Sequence, residues 1–373
     1  MLMVIFGAGA SYDSARAFPP IAPRAANQNF GTPYPPPDEG EAWRPPLASE
    51  LFRDTNLRFG HIVERYPRLH PILDRLREPL NGRSVEEELQ SLQDEAEAYP
   101  EGKRQLLSVR YYLHDLLAEV TDNWLKRTRF TNYAPLVDQI MQFRTGSEPV
   151  CLVTFNYDLL LDRALISFGY NPQSLDHRYF DAHPTLKLFK PHGSVDWARF
   201  VDAPPDSRLG PWQLIEQADT TKLSDDYIVS NATDPQQLHR YNRPILPAIA
   251  IPVQTKSEDT FEWPPRHRAY FKELLPSVKK ILIIGWRGKE AHFLNLLREN
   301  LPKGGLTQIT HLQVVGGDTA EVENISKQFL ADIDRRVLKL PAVHAKDSAT
   351  LSGKSKSAFS SKTRNHALIS APH

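Results

Sequence analysis

Five short apolar runs, each broken off at a glycine or polar cluster, constrain what this chain can fold into more than any other feature. Met3-Val4-Ile5-Phe6 stops at Gly7-Ala8-Gly9-Ala10-Ser11, and Val150 to Phe155 stops at Asn156-Tyr157-Asp158. Leu186-Lys187-Leu188-Phe189 runs into Lys190-Pro191-His192-Gly193-Ser194. Lys280 to Ile284 ends at Gly285-Trp286, and Ile309 to Val315 ends at Gly316-Gly317-Asp318. Runs this short and continuous are typical of strands buried on both faces, as in parallel sheets. Helical spacing follows two of them: Leu160, Leu161, Ala164, Leu165 and Phe168 after the second, then Phe293, Leu296 and Leu297 after the fourth. The alternation predicts an α/β fold with a doubly wound parallel sheet. Ligands of open α/β sheets bind beyond the carboxyl ends of the strands, so the clusters are the candidate site.

The first cluster reads as a tight turn opening a helix. Glycines there let backbone N–H groups approach a ligand, and a helix N-terminus favours phosphate. The third glycine of the dinucleotide fingerprint is replaced by Tyr12, so the same residues also read as a plain tight turn.

The segments between the runs differ in character. Phe18 to Pro46 is dense in proline, which lacks a donor and fixes φ, so it forms neither helix nor central strand. It is either a surface insertion or a mobile cover over the first turn. Residues 47–145 form an expected helical subdomain, with a capping box at Ser84-Val85-Glu86-Glu87 and a long apolar stripe from Leu106 to Trp124. His114 on that stripe is expected to be structural. Residues 201–243 are polar with no clear period, an expected irregular insertion. Residues 343–373, rich in Ser, Lys and Ala, are expected to be a disordered basic tail.

Composition narrows the function classes. The 373 residues carry 45 Lys+Arg and 45 Asp+Glu, which argues against broad coating of nucleic acid or an anionic membrane. Cys151 is the single cysteine, so neither an internal disulfide nor a four-cysteine zinc site forms. Such sparse usage suits a reducing compartment, and a cytoplasmic location is expected. No apolar run approaches the ~18–20 residues that span a bilayer.

Taken together, GAGAS at the first turn, TFNYD after the second strand, KPHGS after the third and IIGWRGKEAHFLNLL near the end resemble the sirtuin (SIR2) family, specifically the SIR2-like domains of bacterial proteins. RPPLASELF and SVEEELQSL also look like this branch. The resemblance spans roughly residues 1–330, within an expected domain of residues 1–342. It implies a Rossmann-like, sirtuin-type sheet that binds NAD and cleaves its nicotinamide–ribose bond. Asn156 matches the family's ribose-contacting asparagine and His192 its catalytic base. Asp158 matches the acid at the nicotinamide half. Gly7, Ala8, Gly9 and Ser11 match the pyrophosphate cradle, Gly285 and Trp286 the second phosphate-side turn, and Asp318 is placed to hold adenosine ribose. Taken singly, Asn156 is also a favoured helix N-cap and His192 an ordinary turn residue. Trp286 and Asp318 are equally consistent with core packing and turn chemistry.

The departures matter. Val201 to Arg243, where protein-deacylating sirtuins carry a four-cysteine zinc ribbon, has no cysteine. The family's aspartate after Gly285 appears as Glu290, and Leu294 replaces a polar residue. The missing ribbon favours hydrolysis of NAD itself, without zinc, over protein deacylation or ADP-ribosyl transfer. In the bacterial branch that activity typically serves antiviral defence. A module that senses NAD or ADP-ribose without turnover is the alternative of another class. Expected partners are NAD and, for activation, another protein or a second copy of the chain.

Overall fold

The computed structural model describes Met1 to His344, apart from residues 15–43, 53–59, 129–130, 145, 147, 173–174, 176, 181, 205–206, 208, 235–239, 254–260, 303–308, 318, 334–337 and 340–342. Most of the proline-rich stretch, Asp318 and residues 345–373 of the expected tail therefore lie outside the described residues.

The apolar runs do become parallel strands: β1 (Leu2–Phe6), β2 (Val150–Thr154), β3 (Leu186–Phe189), β7 (Lys280–Ile284) and β8 (His311–Gly316). They pair in the order β8-β7-β1-β2-β3. Two short strands, β9 (Leu338–Lys339) and β10 (Val343–His344), pair in parallel with successive parts of β8. The sheet thus reaches two residues into the stretch expected to be tail. β2 and β3 are buried along their whole length, as continuous apolar runs should be. β7 and β8 alternate buried residues with less buried ones. Phe6 lies opposite both Thr154 and Ile284, so three strands end level and deliver their clusters side by side.

Between β3 and β7 lies a second sheet that the sequence pattern does not reveal. β4 (Gly193–Val201), β5 (Leu223–Val229) and β6 (Ile245–Ile249) are antiparallel in the order β5-β4-β6. The stretch expected to be irregular thus contains β5 and a short helix, Pro211–Glu216. β5 escaped the pattern because none of its residues is buried. It pairs with β4 through the backbone, and two ion pairs lie along it: Arg199 of β4 with Asp225 at 3.0 Å and Arg243 with Asp226 at 3.1 Å. Pro247 is tolerated in β6 because an edge strand can spare an N–H.

Within residues 47–145 the chain is largely helical, chiefly as Val85–Ala98 and Pro100–Thr128. Ser84 caps the first of these: the Glu87 N–H donates to the Ser84 hydroxyl at 3.2 Å, and the Ser84 N–H to the Glu87 carboxylate at 2.7 Å. The helices do not close a core alone. Leu89, Leu92, Val109, Leu113 and Leu116 share one apolar cluster with Val195, Leu246 and Ile249 of the antiparallel sheet. His114 is fully buried at this junction, with Nε2 2.9 Å from the Val195 carbonyl and Nδ1 3.1 Å from Asp115. A separate core covers the parallel sheet. Among the described residues no helix is long and apolar enough to cross a membrane.

Gly193 is the hinge between the two sheets. Its φ is +79°, and a Cβ there would lie 1.8 Å from the Ala248 carbonyl oxygen of β6. Gly82, at φ +71°, has open space where a Cβ would go. Gly193→Ala should therefore destabilise the protein by about 2 kcal/mol or more, whereas Gly82→Ala should cost roughly 1 kcal/mol. Denaturation midpoints of the two variants check this, and equal losses would contradict the crowding at Gly193.

Candidate functional site

The chain leaves β1 for β2 on one side of the sheet and leaves β7 for β8 on the other. The carboxyl ends of β1 and β7 therefore flank the topological switch point, the place where open α/β sheets bind ligands. The two glycine turns meet there backbone to backbone. The Gly7 N–H donates to the Ile284 carbonyl at 3.0 Å, the Gly9 N–H to the Gly285 carbonyl at 3.2 Å, and the Gly285 N–H to the Val315 carbonyl at 2.9 Å. A Cβ on Gly7 would sit 2.5 Å from the Gly285 oxygen, and one on Gly285 2.4 Å from the Ala10 nitrogen. The contact between the turns already requires these glycines, independently of any ligand. With the Ala10 N–H given to the Gly7 carbonyl at 2.9 Å, three of the four N–H groups from Gly7 to Ala10 are engaged within the protein. Ala8 is exposed at the rim of the turn and Gly9 is partly so.

Asn156 stands directly behind this floor. Its Nδ2 lies 2.9 Å from the Gly7 carbonyl oxygen, 2.8 Å from Ser11 Oγ and 3.2 Å from Tyr133 Oη. The Ser11 and Tyr133 hydroxyls are 2.8 Å apart. All three side chains are buried. Asn156 therefore bridges the end of β2 to the turn after β1, which an N-cap alone would not do.

Asp158 precedes the helix Leu160–Ile166 by two residues, and its carboxylate accepts from the Leu160 N–H at 3.0 Å. Burial pushes its carboxyl above the usual carboxylate range, while hydrogen bonds from Ser11 and the Leu160 N–H and the charge of Lys190 pull the other way. Lys190 is fully buried. Its Nζ donates to the Asp158 carbonyl at 2.9 Å, to Asp162 Oδ2 at 2.9 Å and to Ser194 Oγ at 2.7 Å. Satisfying all three donors is what makes an ammonium tolerable in such a place. The lysine thereby ties the loop after β2 to the loop after β3.

His192 is 4% exposed and sits among aromatic rings. Phe155 meets it edge-on at 4.8 Å, Tyr157 stacks at 5.9 Å and Phe261 stacks at 5.8 Å. Phe155 and Tyr157 flank Asn156 in sequence, so the His192 ring packs against both chain neighbours of that asparagine. Trp286 is 3% exposed, stacked on Phe155 at 5.3 Å with Nε1 donating to Glu290 at 2.6 Å. Its surroundings are those of a packed core residue that closes one side of the site. Asp318 lies outside the described residues.

Tyr133, Lys190 and Glu262 contribute without having been singled out. Tyr133 opens the helix Tyr133–Phe143 and carries no motif of its own. A lysine directly after a fully buried strand was the one visible signal for Lys190. Glu262 is buried, takes Arg110 at 2.7 Å, and gives its N–H to the Pro191 carbonyl at 3.0 Å. Among the described residues no group of three His, Cys, Asp or Glu is placed to hold a metal ion.

The family model for SIR2-like domains matches residues 150–336, about half of the chain. The match begins at β2, so β1 lies outside it, although β1 occupies the middle of the sheet. No curated protein matches the chain.

The raised Asp158 carboxyl has a consequence for stability against pH. A raised acid binds its proton more tightly in the folded state, so its contribution is full below the ordinary value of about 3.9 and is lost as pH rises through the folded value. Asp158→Asn keeps the acceptor for Leu160 but cannot ionise. Its melting temperature relative to the parent should therefore climb as pH is raised from about 4 toward neutral. A difference that stays constant across that range would contradict the burial effect.

Proposed function

We propose, for a chain that belongs to the SIR2-like domain family, that the crevice at the switch point binds NAD and hydrolyses its nicotinamide–ribose bond. Family membership supports an NAD-related function in general. The hydrolytic assignment goes further, and the observation that carries it is the pairing of Asn156 and His192 behind the two glycine turns. Asn156 is locked by bonds to Gly7, Ser11 and Tyr133, and the His192 ring packs against both sequence neighbours of that asparagine.

The overall reaction consumes NAD and water and yields nicotinamide, ADP-ribose and a proton. Nicotinamide leaves with the bonding electron pair, and positive charge develops on the ribose. Groups that stabilise that charge more than the ground state accelerate the step. The side chains around Asn156 suit this. Its amide oxygen accepts a hydrogen bond from a ribose hydroxyl or from the attacking water. The Asp158 carboxyl is buried two residues further along the chain. His192 takes the proton that water loses, a task for which imidazole is suited near neutral pH. The aromatic rings of Phe155, Tyr157 and Phe261 exclude bulk water around it, which strengthens each electrostatic contact.

Phosphates fit the rim of the first turn. Ala8 is the exposed residue there, and close approach is possible because Gly9 carries no side chain. In the bacterial branch that the motifs resemble, consumption of NAD serves defence against viruses, and we extend that role to this chain by analogy alone.

Purified protein incubated with NAD should release nicotinamide and ADP-ribose in equal amounts, measured by chromatography. His192→Ala should lower kcat by about 10²- to 10⁴-fold, the range for loss of a general base, and Asn156→Ala should fall at least as far. Turnover that survives both substitutions would overturn the assignment. An acceptor protein carrying the ADP-ribose would redirect it to transfer.

A further inference from the structure

The directions of the hydrogen bonds at the floor of the site can be worked out from its ends. The Gly7 carbonyl only accepts, so Asn156 presents its NH2 and not its oxygen to that side. Ser11 Oγ, 2.8 Å from the same nitrogen, accepts from it. Tyr133 Oη, at 3.2 Å, accepts from it as well. The two hydroxyls lie 2.8 Å apart, so one gives its proton to the other. Tyr133 is thus an acceptor toward the asparagine and the hydrogen-bond partner of Ser11. Burial pushes its phenol far above the ordinary tyrosine range, so the proton stays on it.

We propose that Tyr133 is a positioning residue for Asn156: its hydroxyl holds the amide in the one orientation that turns the amide oxygen away from Gly7, Ser11 and Tyr133 and into the crevice. Three acceptors face a group that has two protons, and the amide nitrogen shares them among Gly7, Ser11 and Tyr133. Flipping the amide would set its oxygen 2.9 Å from the Gly7 carbonyl oxygen, an unpaired contact between two buried acceptors. The hydroxyl of Tyr133 does not bond substrate. It acts through the asparagine. Phe6 packs edge-on against the ring at 5.3 Å, so the ring itself is held by the core. Deleting the hydroxyl alone leaves that packing in place.

This rests on the hydrolytic reading of the site, so the experiment separates the two. Tyr133→Phe is compared with the parent for NAD hydrolysis and for unfolding in denaturant. The expected result is a kcat lowered by about 10- to 100-fold with KM changed less than about twofold, the mark of a misoriented catalytic group. An unchanged kcat, or a raised KM with kcat kept, would overturn the positioning role. If the parent protein releases no nicotinamide, the hydrolytic reading fails and a second arm decides on Tyr133. Unfolding midpoints of Tyr133→Phe, Asn156→Ala and the double variant form a cycle that needs no activity. Losses smaller in the double variant than the sum of the singles support the coupling, and additive losses overturn it.

Discussion

Two turns that touch backbone to backbone set the geometry of everything around the crevice. The turn after β1 and the turn after β7 approach so closely that Gly7 and Gly285 have no room for a side-chain carbon. That approach is possible because β1 pairs in register with both β2 and β7, so the strands end on one line. Sheet pairing brings the turns together, and the missing side chains let them close. The N–H groups released by the glycines go mainly to protein carbonyls. The glycine pattern is therefore first a requirement of the sheet, and only at Ala8 and Gly9 does the turn offer surface to a ligand.

Behind this floor the polar groups form two buried ties. Asn156 bridges β1 and β2 through Gly7, Ser11 and Tyr133. Lys190 bridges the loops after β2 and β3 through Asp158, Asp162 and Ser194. Buried networks of this kind are tolerable only when their members are satisfied, and once satisfied they hold one arrangement. The His192 ring packs against both chain neighbours of Asn156, and its aromatic contacts come from two segments, Phe155 with Tyr157 and, separately, Phe261. The two apolar cores meet around these loops. One covers the parallel sheet, and the other joins the helices of residues 60–128 to the antiparallel strands.

The strands of the parallel sheet were legible because burial on both faces writes itself as an unbroken apolar run. The capping box at Ser84 was legible because its bonds are local. β5 was not, because none of its residues is buried, Asp225 and Asp226 among them are exposed, and backbone pairing with β4 sets its place. Hydrophobic periodicity cannot register a half-exposed strand placed by its pairing with another segment. Tyr133 was not legible for a related reason. Its ring packs like any core residue, and only its partner Ser11, 122 positions away, gives its hydroxyl a task.

By itself, the sequence determined the five principal strands of the parallel sheet, the residues that stand at their ends and the family that their motifs resemble. Those are consequences of local patterning: apolar runs, turn residues and spacing. Only the tertiary structure decided what each of those residues touches. It gave Gly7 and Gly285 to each other, packed Trp286 between Phe155 and Phe293, and made Asn156 the bridge between two strands. It also joined the helices to a second sheet that no periodicity announces. The physical reason is common to all of these. The contacts join residues far apart in the chain, and a hydrogen bond or a close approach between them leaves no mark on either residue's own neighbourhood in the sequence.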